Sequence, residues 1–247
     1  MSLLQVSGLS KSFGGVRAVS EVTFEVQAGE ILALIGPNGA GKSTCFNMLN
    51  GQLKPDGGSI SLNGAPIVGL APRAVWRMGV GRTFQITATF SSMTVRENVQ
   101  MALLSHHHKL KNLWVRATHQ FVAEADALLA RVGMREQAQR PCSVLAYGDL
   151  KRLELAVALA NAPKLLLMDE PTAGMAPKER IALMALTAEI VKSDNIGVLF
   201  TEHDMDVVFK HANRMIVLNR GKLIAGGVPA EVRANPEVQR IYLGSRH

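Results

Sequence analysis

Nine consecutive residues, Gly36-Pro37-Asn38-Gly39-Ala40-Gly41-Lys42-Ser43-Thr44, combine the features needed to hold a phosphate. Gly36, Gly39 and Gly41 allow backbone conformations closed to other residues and a close approach to a ligand. The exposed N–H groups of such a loop, followed by a helix N-terminus, present positive charge to phosphate oxygens. Lys42 adds a full charge suited to the β- and γ-phosphates, and the Ser43 hydroxyl can hold Mg²⁺. Read together with Asn38, Ala40 and Thr44, the stretch is a candidate nucleotide-phosphate site. A plain glycine turn is the alternative; a buried-looking strand before it and a helical stretch after it argue against that.

Asp169 and Glu170 could supply the other half of a reaction. They close an apolar run, Leu165-Leu166-Leu167-Met168, at the carboxyl end of a strand, where ligands bind in open α/β sheets. Asp169 is placed to hold Mg²⁺ directly or through water. Glu170 is the better candidate to polarise an attacking water. His203, in Phe200-Thr201-Glu202-His203-Asp204, closes the next strand and could reach a γ-phosphate. Gln85 also ends a strand and could offer its amide to Mg²⁺ or water. Phe13 could stack on adenine or be an ordinary turn aromatic. His106-His107-His108 invites a metal reading, but consecutive helical residues point 100° apart in ideal geometry. They read as a solvated loop or a partner contact.

The elements that must position these groups follow from pattern. Residues 3–8 and 20–26 alternate well enough to be strands, Val22, Phe24 and Val26 against Thr23 and Glu25 giving the signature of a half-covered antiparallel sheet. Ile31 to Ile35 reads as a buried strand leading into the glycine loop, with a helix after it stopped by Gly51. Residues 59–62 and 79–85 read as strands, and 71–78 as a helix with proline in its first turn. From 90 to 160 strand signals vanish and helical stripes such as Val95, Val99, Leu103 take over, with a further helix starting near Asp149. Strands at 164–170, 196–201 and 215–218, with a helix at 177–191 between the first two, argue for a parallel, doubly wound sheet. The division expected is a core of 1–89 and 161–228, an inserted helical lobe of 90–160, and a helical tail of 229–247.

Composition narrows the partners. The net charge is +7, and residues 71–152 carry all of that excess, with 12 basic against 5 acidic residues. The basic residues are dispersed without stacking aromatics, which suits a solvated helical face or anionic headgroups better than nucleic acid. Cys45 and Cys142 form no paired motif, so neither a disulfide framework nor a zinc site is expected. No secretory leader is read at the N-terminus. No stretch reaches the ~18 apolar residues of a membrane helix, so work at a membrane would need another chain to span it.

Taken together, GPNGAGKST at 36–44, Gln85, LAYGD at 145–149, LLLMDEPTAG at 165–174 and His203 resemble the ATP-binding subunit of an ABC transporter along nearly the whole chain. GRTFQ at 81–85, MTVRENV at 93–99, LAYGDLKRLELA at 145–156 and a tail GVPAEV…NPEV…YLG at 227–244 look most like subunits of branched-chain amino acid importers. The resemblance implies an α/β P-loop NTPase fold of the ABC ATPase kind, with a RecA-like mixed sheet core, an antiparallel β subdomain and an inserted α-helical lobe. It implies ATP and Mg²⁺ as ligands and ATP hydrolysis coupled to transport.

It further implies a second ATP-binding subunit, identical or paralogous, associating head to tail. Each ATP would lie between one chain's phosphate loop and Leu145, Ala146, Tyr147, Gly148 and Asp149 of the other. Transmembrane permease subunits, and through them a solute-binding protein, would complete an assembly at the cytoplasmic face of the inner membrane, where this chain is peripheral. Departures stand out in two segments, at three positions. The general family pattern has serine at Ala146 and glycine at Tyr147, and an aspartate at Ala176. A soluble ABC ATPase acting on nucleic acid is the alternative reading, though this chain has neither a second cassette nor a long coiled coil. A regulator that binds nucleotide without hydrolysis is a third, and Glu170 argues against it.

Overall fold

Alternation along the first residues folds as a hairpin. The computed structural model describes residues 2–83, 89–107 and 119–243. Strands β1 (Leu4–Phe13) and β2 (Val16–Val26) pair antiparallel across Gly14-Gly15, both longer than the sequence pattern predicts. Val22, Phe24 and Val26 are buried while Thr23 and Glu25 are exposed, as period two requires. Strands β4 (Gly57–Leu62) and β5 (Ala65–Pro66) extend this sheet in the order β2-β1-β4-β5.

The second sheet holds the apolar runs. β3 (Ile31–Ile35), β6 (Val80–Thr83), β7 (Leu165–Asp169), β8 (Gly197–Thr201), β9 (Arg214–Asn219) and β10 (Lys222–Gly227) lie in the order β10-β9-β3-β8-β7-β6. All neighbours are parallel except β9 and β10. β3, β7 and β8 are buried at every residue, which is why they read as continuous rather than alternating runs. Alternate residues still part company. Ile31, Ala33 and Ile35 face one core, which includes Val95, Val99, Leu153, Leu183 and Met184. Leu32 and Leu34 face another, formed with β1, β2, β4 and the helix α1 (Lys42–Leu49). The antiparallel sheet thus covers one face and helices the other.

Between β6 and β7 the described regular structure is helical: α3 (Val95–His106), α4 (Val122–Arg131) and α5 (Tyr147–Leu159); α2 (Pro72–Arg77) precedes β6. α3 begins in a reciprocal cap, Thr94 Oγ1 accepting from Glu97 N–H and the Glu97 carboxylate accepting from Thr94 N–H. A bidentate Arg96–Asp126 pair ties it to α4.

Several boundaries differ from the sequence reading. α5 starts at Tyr147, two residues before Asp149, which lies in its first turn; Ala146 takes the cap position with no side-chain acceptor. α6 (Pro177–Asp194) runs three residues further, to a left-handed Asn195. The helix α7 (Met205–His211) and strand β10 were not foreseen, whereas α8 (Pro229–Ala234) and α9 (Pro236–Leu243) match the expected tail helices. His106 belongs to a helix rather than a solvated loop, whereas His107 is exposed in the turn that follows. His106 ends α3 with Nδ1 2.9 Å from Asn161 Oδ1 and its ring edge-on to Trp76. His107 stacks on Phe121. His108 lies outside the described residues.

Candidate active site

The loop from Gly36 to Gly41 joins the central strand β3 to α1. Two glycines in it are demanded by packing. A Cβ on Gly36 would sit 2.2 Å from the Leu218 carbonyl oxygen of β9, and one on Gly41 would sit 2.3 Å from that of Ala18 on β2. Gly41 also has φ +105°, a left-handed value. The turn between β9 and β10 braces the loop from outside: Gly221 N–H donates to Ala40 O while Gly221 O accepts from Ser20 N–H. Asn38, Gly39 and Ser43 are exposed, and Pro37 and Thr44 are half-buried. Lys42 is 7% exposed, with Nζ donating to the carbonyls of Gly36 at 2.7 Å and Pro37 at 3.2 Å. Burial lowers its pKa, opposed by the nearby negative charges of Glu170 and Asp169. The lysine thus sits in the field of both acids.

The acids occupy the carboxyl end of β7. Asp169 is 8% exposed; its Oδ1 accepts from Thr201 Oγ1 at 2.8 Å, and its Oδ2 lies 3.5 Å from the Arg82 guanidinium. Arg82, on β6, also donates to Asn47 Oδ1 and Gln52 Oε1, joining the end of α1 to the acid strand. Glu170 follows with φ +48°, a left-handed value for a non-glycine residue, and its N–H donates to Thr201 O and Oγ1. Its Oε1 is 2.9 Å from His203 Nε2. His203 stands two residues beyond the end of β8, not on the strand itself. Lys42, Asp169, Glu170 and His203 are therefore gathered at the carboxyl ends of three adjacent parallel strands. Ser43 Oγ and the Asp169 carboxylate are hard oxygen donors that fit Mg²⁺, which takes few protein ligands and completes its shell with water and phosphate. Among the described residues no group of three His, Cys, Asp or Glu could hold a metal ion.

Comparison with known proteins resolves what this arrangement belongs to. A family model described as ABC transporter matches residues 19–173, and one described as branched-chain amino acid ATP-binding cassette transporter matches 222–247. The chain is 44% identical to the high-affinity branched-chain amino acid transport ATP-binding protein LivG of Salmonella typhimurium, covering 98% of each chain. It is 40% identical, with the same coverage, to BraF of Pseudomonas aeruginosa, which carries the same description. Among solved structures, an ATP-binding cassette of an ABC transporter in its ADP conformation superposes with TM-score 0.89 at 31% identity, covering 99% of this chain and 100% of the other.

The chain belongs to the ABC transporter family. It is an ATP-binding cassette of the kind that hydrolyses ATP.

In this cassette the segment 145–149 is built onto α6. Leu145 follows a 3₁₀ turn, Cys142–Val144, and Ala146 is the cap of α5. The Tyr147 ring, 42% exposed, lies against Gly174, with the Lys151 ammonium 5.5 Å from its centroid. Gly148 is buried so closely that a Cβ there would meet the Glu179 carboxylate at 3.0 Å. Asp149 accepts from Gln137 Nε2. Glu179 in turn accepts from the N–H of Ala176, the position where the family's aspartate is replaced. Phe13 ends β1 half-exposed, its ring 5.7 Å from the Lys11 ammonium. Gln85 lies outside the described residues. Sequence reasoning assigned no role to Arg82, Thr201, Glu202 or Gly221. Each was visible only as a member of a quoted motif or an unremarkable turn, and its partners are far away in the chain.

Proposed function

We propose that this cassette powers an ABC importer for branched-chain or related amino acids, through ATP-driven closure of a cassette pair and hydrolysis. The observation that carries the substrate class is the match of the tail, residues 222–247, to the branched-chain amino acid cassette model, in series with the general family match. ATP binds through the backbone of Gly36 to Gly41, with Lys42 on its β- and γ-phosphates. Mg²⁺, held by Ser43 and Asp169 with Gln85, supplies charge neutralisation at those phosphates. Glu170 orients and polarises the attacking water, and His203 holds both Glu170 and the γ-phosphate. Phe13 stacks on the adenine. Leu145, Ala146, Tyr147, Gly148 and Asp149 cover the partner's ATP, the N–H groups at the α5 N-terminus facing its γ-phosphate.

In this reading residues 1–89 and 161–228 are the nucleotide-binding core, 90–160 the helical lobe facing the permease subunits, and 229–247 the tail. The partner is a second copy or a paralogue, and the chain is peripheral on the cytoplasmic side of the membrane. Glu170→Gln tests it: ATP binding is retained, the variant with ATP runs at twice its mass in size-exclusion chromatography, and turnover collapses. Unchanged turnover removes Glu170 from its role. Loss of leucine, isoleucine and valine uptake on deletion in the host, restored by the parent and not by Lys42→Ala, tests the substrate class. DNA and RNA leave the ATPase rate unchanged; stimulation would favour the nucleic-acid reading.

A further inference from the structure

The Glu170–His203 pair joins two turns that the sheet ties only at their start, where Glu170 N–H donates to Thr201 O and Oγ1. The ladder between β7 and β8 ends at Asp169 paired with Thr201. Beyond it, one turn runs through Glu170, Pro171 and Thr172 and the other through Glu202, His203 and Asp204. The His203 side of the pair is half-exposed while Glu170 is largely covered, and a contact with one exposed partner is a weak organiser.

Glu202 is the group that spans the gap. It is 4% exposed, and both of its oxygens are used. Oε1 accepts from Thr172 N–H at 2.9 Å and from Thr172 Oγ1 at 2.5 Å. Oε2 accepts from His203 N–H at 3.0 Å and Asp204 N–H at 3.4 Å. One oxygen therefore binds the residue two places after Glu170, and the other binds the backbone that carries His203. Thr172 is itself 1% exposed, so its arm of the bridge is fixed by packing. A carboxylate with four donors in a buried setting is a far stiffer tie than the partly exposed pair it flanks.

We infer that Glu202 is a positioning residue for hydrolysis: it sets the separation of Glu170 and His203 without touching ATP. The inference rests on the roles proposed above for that pair. It also supplies a reason for a glutamate here, since an amide cannot accept from all four donors. In Glu202→Gln one acceptor oxygen becomes an NH₂ that faces N–H groups, and one arm of the bridge opens.

The test is a double-mutant cycle on the full-length chain, with turnover read by single-turnover ATP hydrolysis and ATP affinity measured separately. Glu202→Gln lowers kcat by roughly tenfold, about 1.4 kcal/mol in the barrier, and leaves KM for ATP within about twofold. In the His203→Ala background the same change has no further effect, because without the imidazole there is no Glu170–His203 separation left to set. Losses that multiply, or an unaltered kcat in Glu202→Gln, overturn the proposal while leaving the pair's own role intact. Full turnover in His203→Ala alone instead overturns the reading of the pair, and this proposal with it. Thr172→Val, which removes one donor and keeps the shape, provides the same cycle should Glu202→Gln fail to fold: a smaller fall in kcat, absent in the His203→Ala background, supports the bridge. Undiminished turnover in Thr172→Val ends it.

Discussion

Cys45 shows how a reactive group is silenced inside a working loop. It follows Thr44 on α1, is buried, and burial pushes its thiol up to about 12. Folding therefore opposes ionisation of this thiol, and stability from this group falls as pH rises above the ordinary value of 9.0. At pH 8 the thiolate population is therefore far below that of an ordinary cysteine. Iodoacetamide at that pH should leave Cys45 unmodified in the native protein and label it rapidly in urea, as read by mass spectrometry. Prompt native labelling would mean the helix opens far more readily than its packing implies. Residue identity alone singled out Lys42, Asp169, Glu170 and His203, because those types suit phosphate, Mg²⁺ and water, and the fold gathers the four at neighbouring strand ends. Their supports were not legible. Arg82 reaches Asp169 across 87 positions and Thr172 reaches Glu202 across 30, and no local spacing encodes such contacts.

At the scale of elements, α7 depends on its cap. The Asp204 side chain accepts from the N–H groups of Asp206 and Val207 and receives Arg180 from α6 at 2.6 Å. Burial pushes its carboxyl up, but the hydrogen bonds from Arg180 and from Val207 and Asp206 outweigh that and hold it below 3.8. A depressed carboxylate stabilises the fold above its unfolded pKa and loses that contribution as pH falls through the folded value. Asp204→Ala should therefore cost about 1–2 kcal/mol at pH 7 in urea unfolding. The difference from the parent should shrink as the pH drops below 3.8. Gly41→Ala is expected to be harsher, because both the left-handed backbone and the Ala18 carbonyl reject a Cβ. Its chevron or melting curve should show a loss of several kcal/mol, of order 2–4 from strain and clash combined. The buried five-residue strands announced themselves by apolar runs bounded by turns. β10 did not, because Lys222-Leu223-Ile224-Ala225-Gly226-Gly227 lacks alternation and ends in two glycines. Its one sign is Arg220-Gly221, both with positive φ as a two-residue hairpin turn requires.

On the scale of the whole molecule, part of the basic excess of the middle third is paired with acidic side chains, some buried and one pair, Arg131–Asp194, at the surface. Arg96 pairs with Asp126, Arg131 with Asp194, Lys151 is buried against Glu154, and Arg82 serves Asp169. The solvated basic face expected from composition is correspondingly thinner. Among the described residues no helix is long and apolar enough to cross a membrane. In vesicle sedimentation the isolated chain should stay in the supernatant with neutral lipid and bind only weakly to anionic lipid, with the binding lost at 0.5 M salt. Vesicles carrying the permease subunits should retain it. The general architecture could be read from strand and helix alternation together with five motifs in order. The stacking of the antiparallel sheet on the parallel one could not, since it depends on which face of β3 each layer covers.

The backbone at Glu170 has a consequence for how such a protein can change over time. An acidic side chain is held there at φ +48°, a setting that asparagine or glycine would occupy more comfortably. Glu170→Asn should therefore melt at a higher temperature than the parent while turning over almost no ATP. Breeding this chain for endurance alone would favour replacing that one residue, at the expense of the hydrolysis proposed to depend on it.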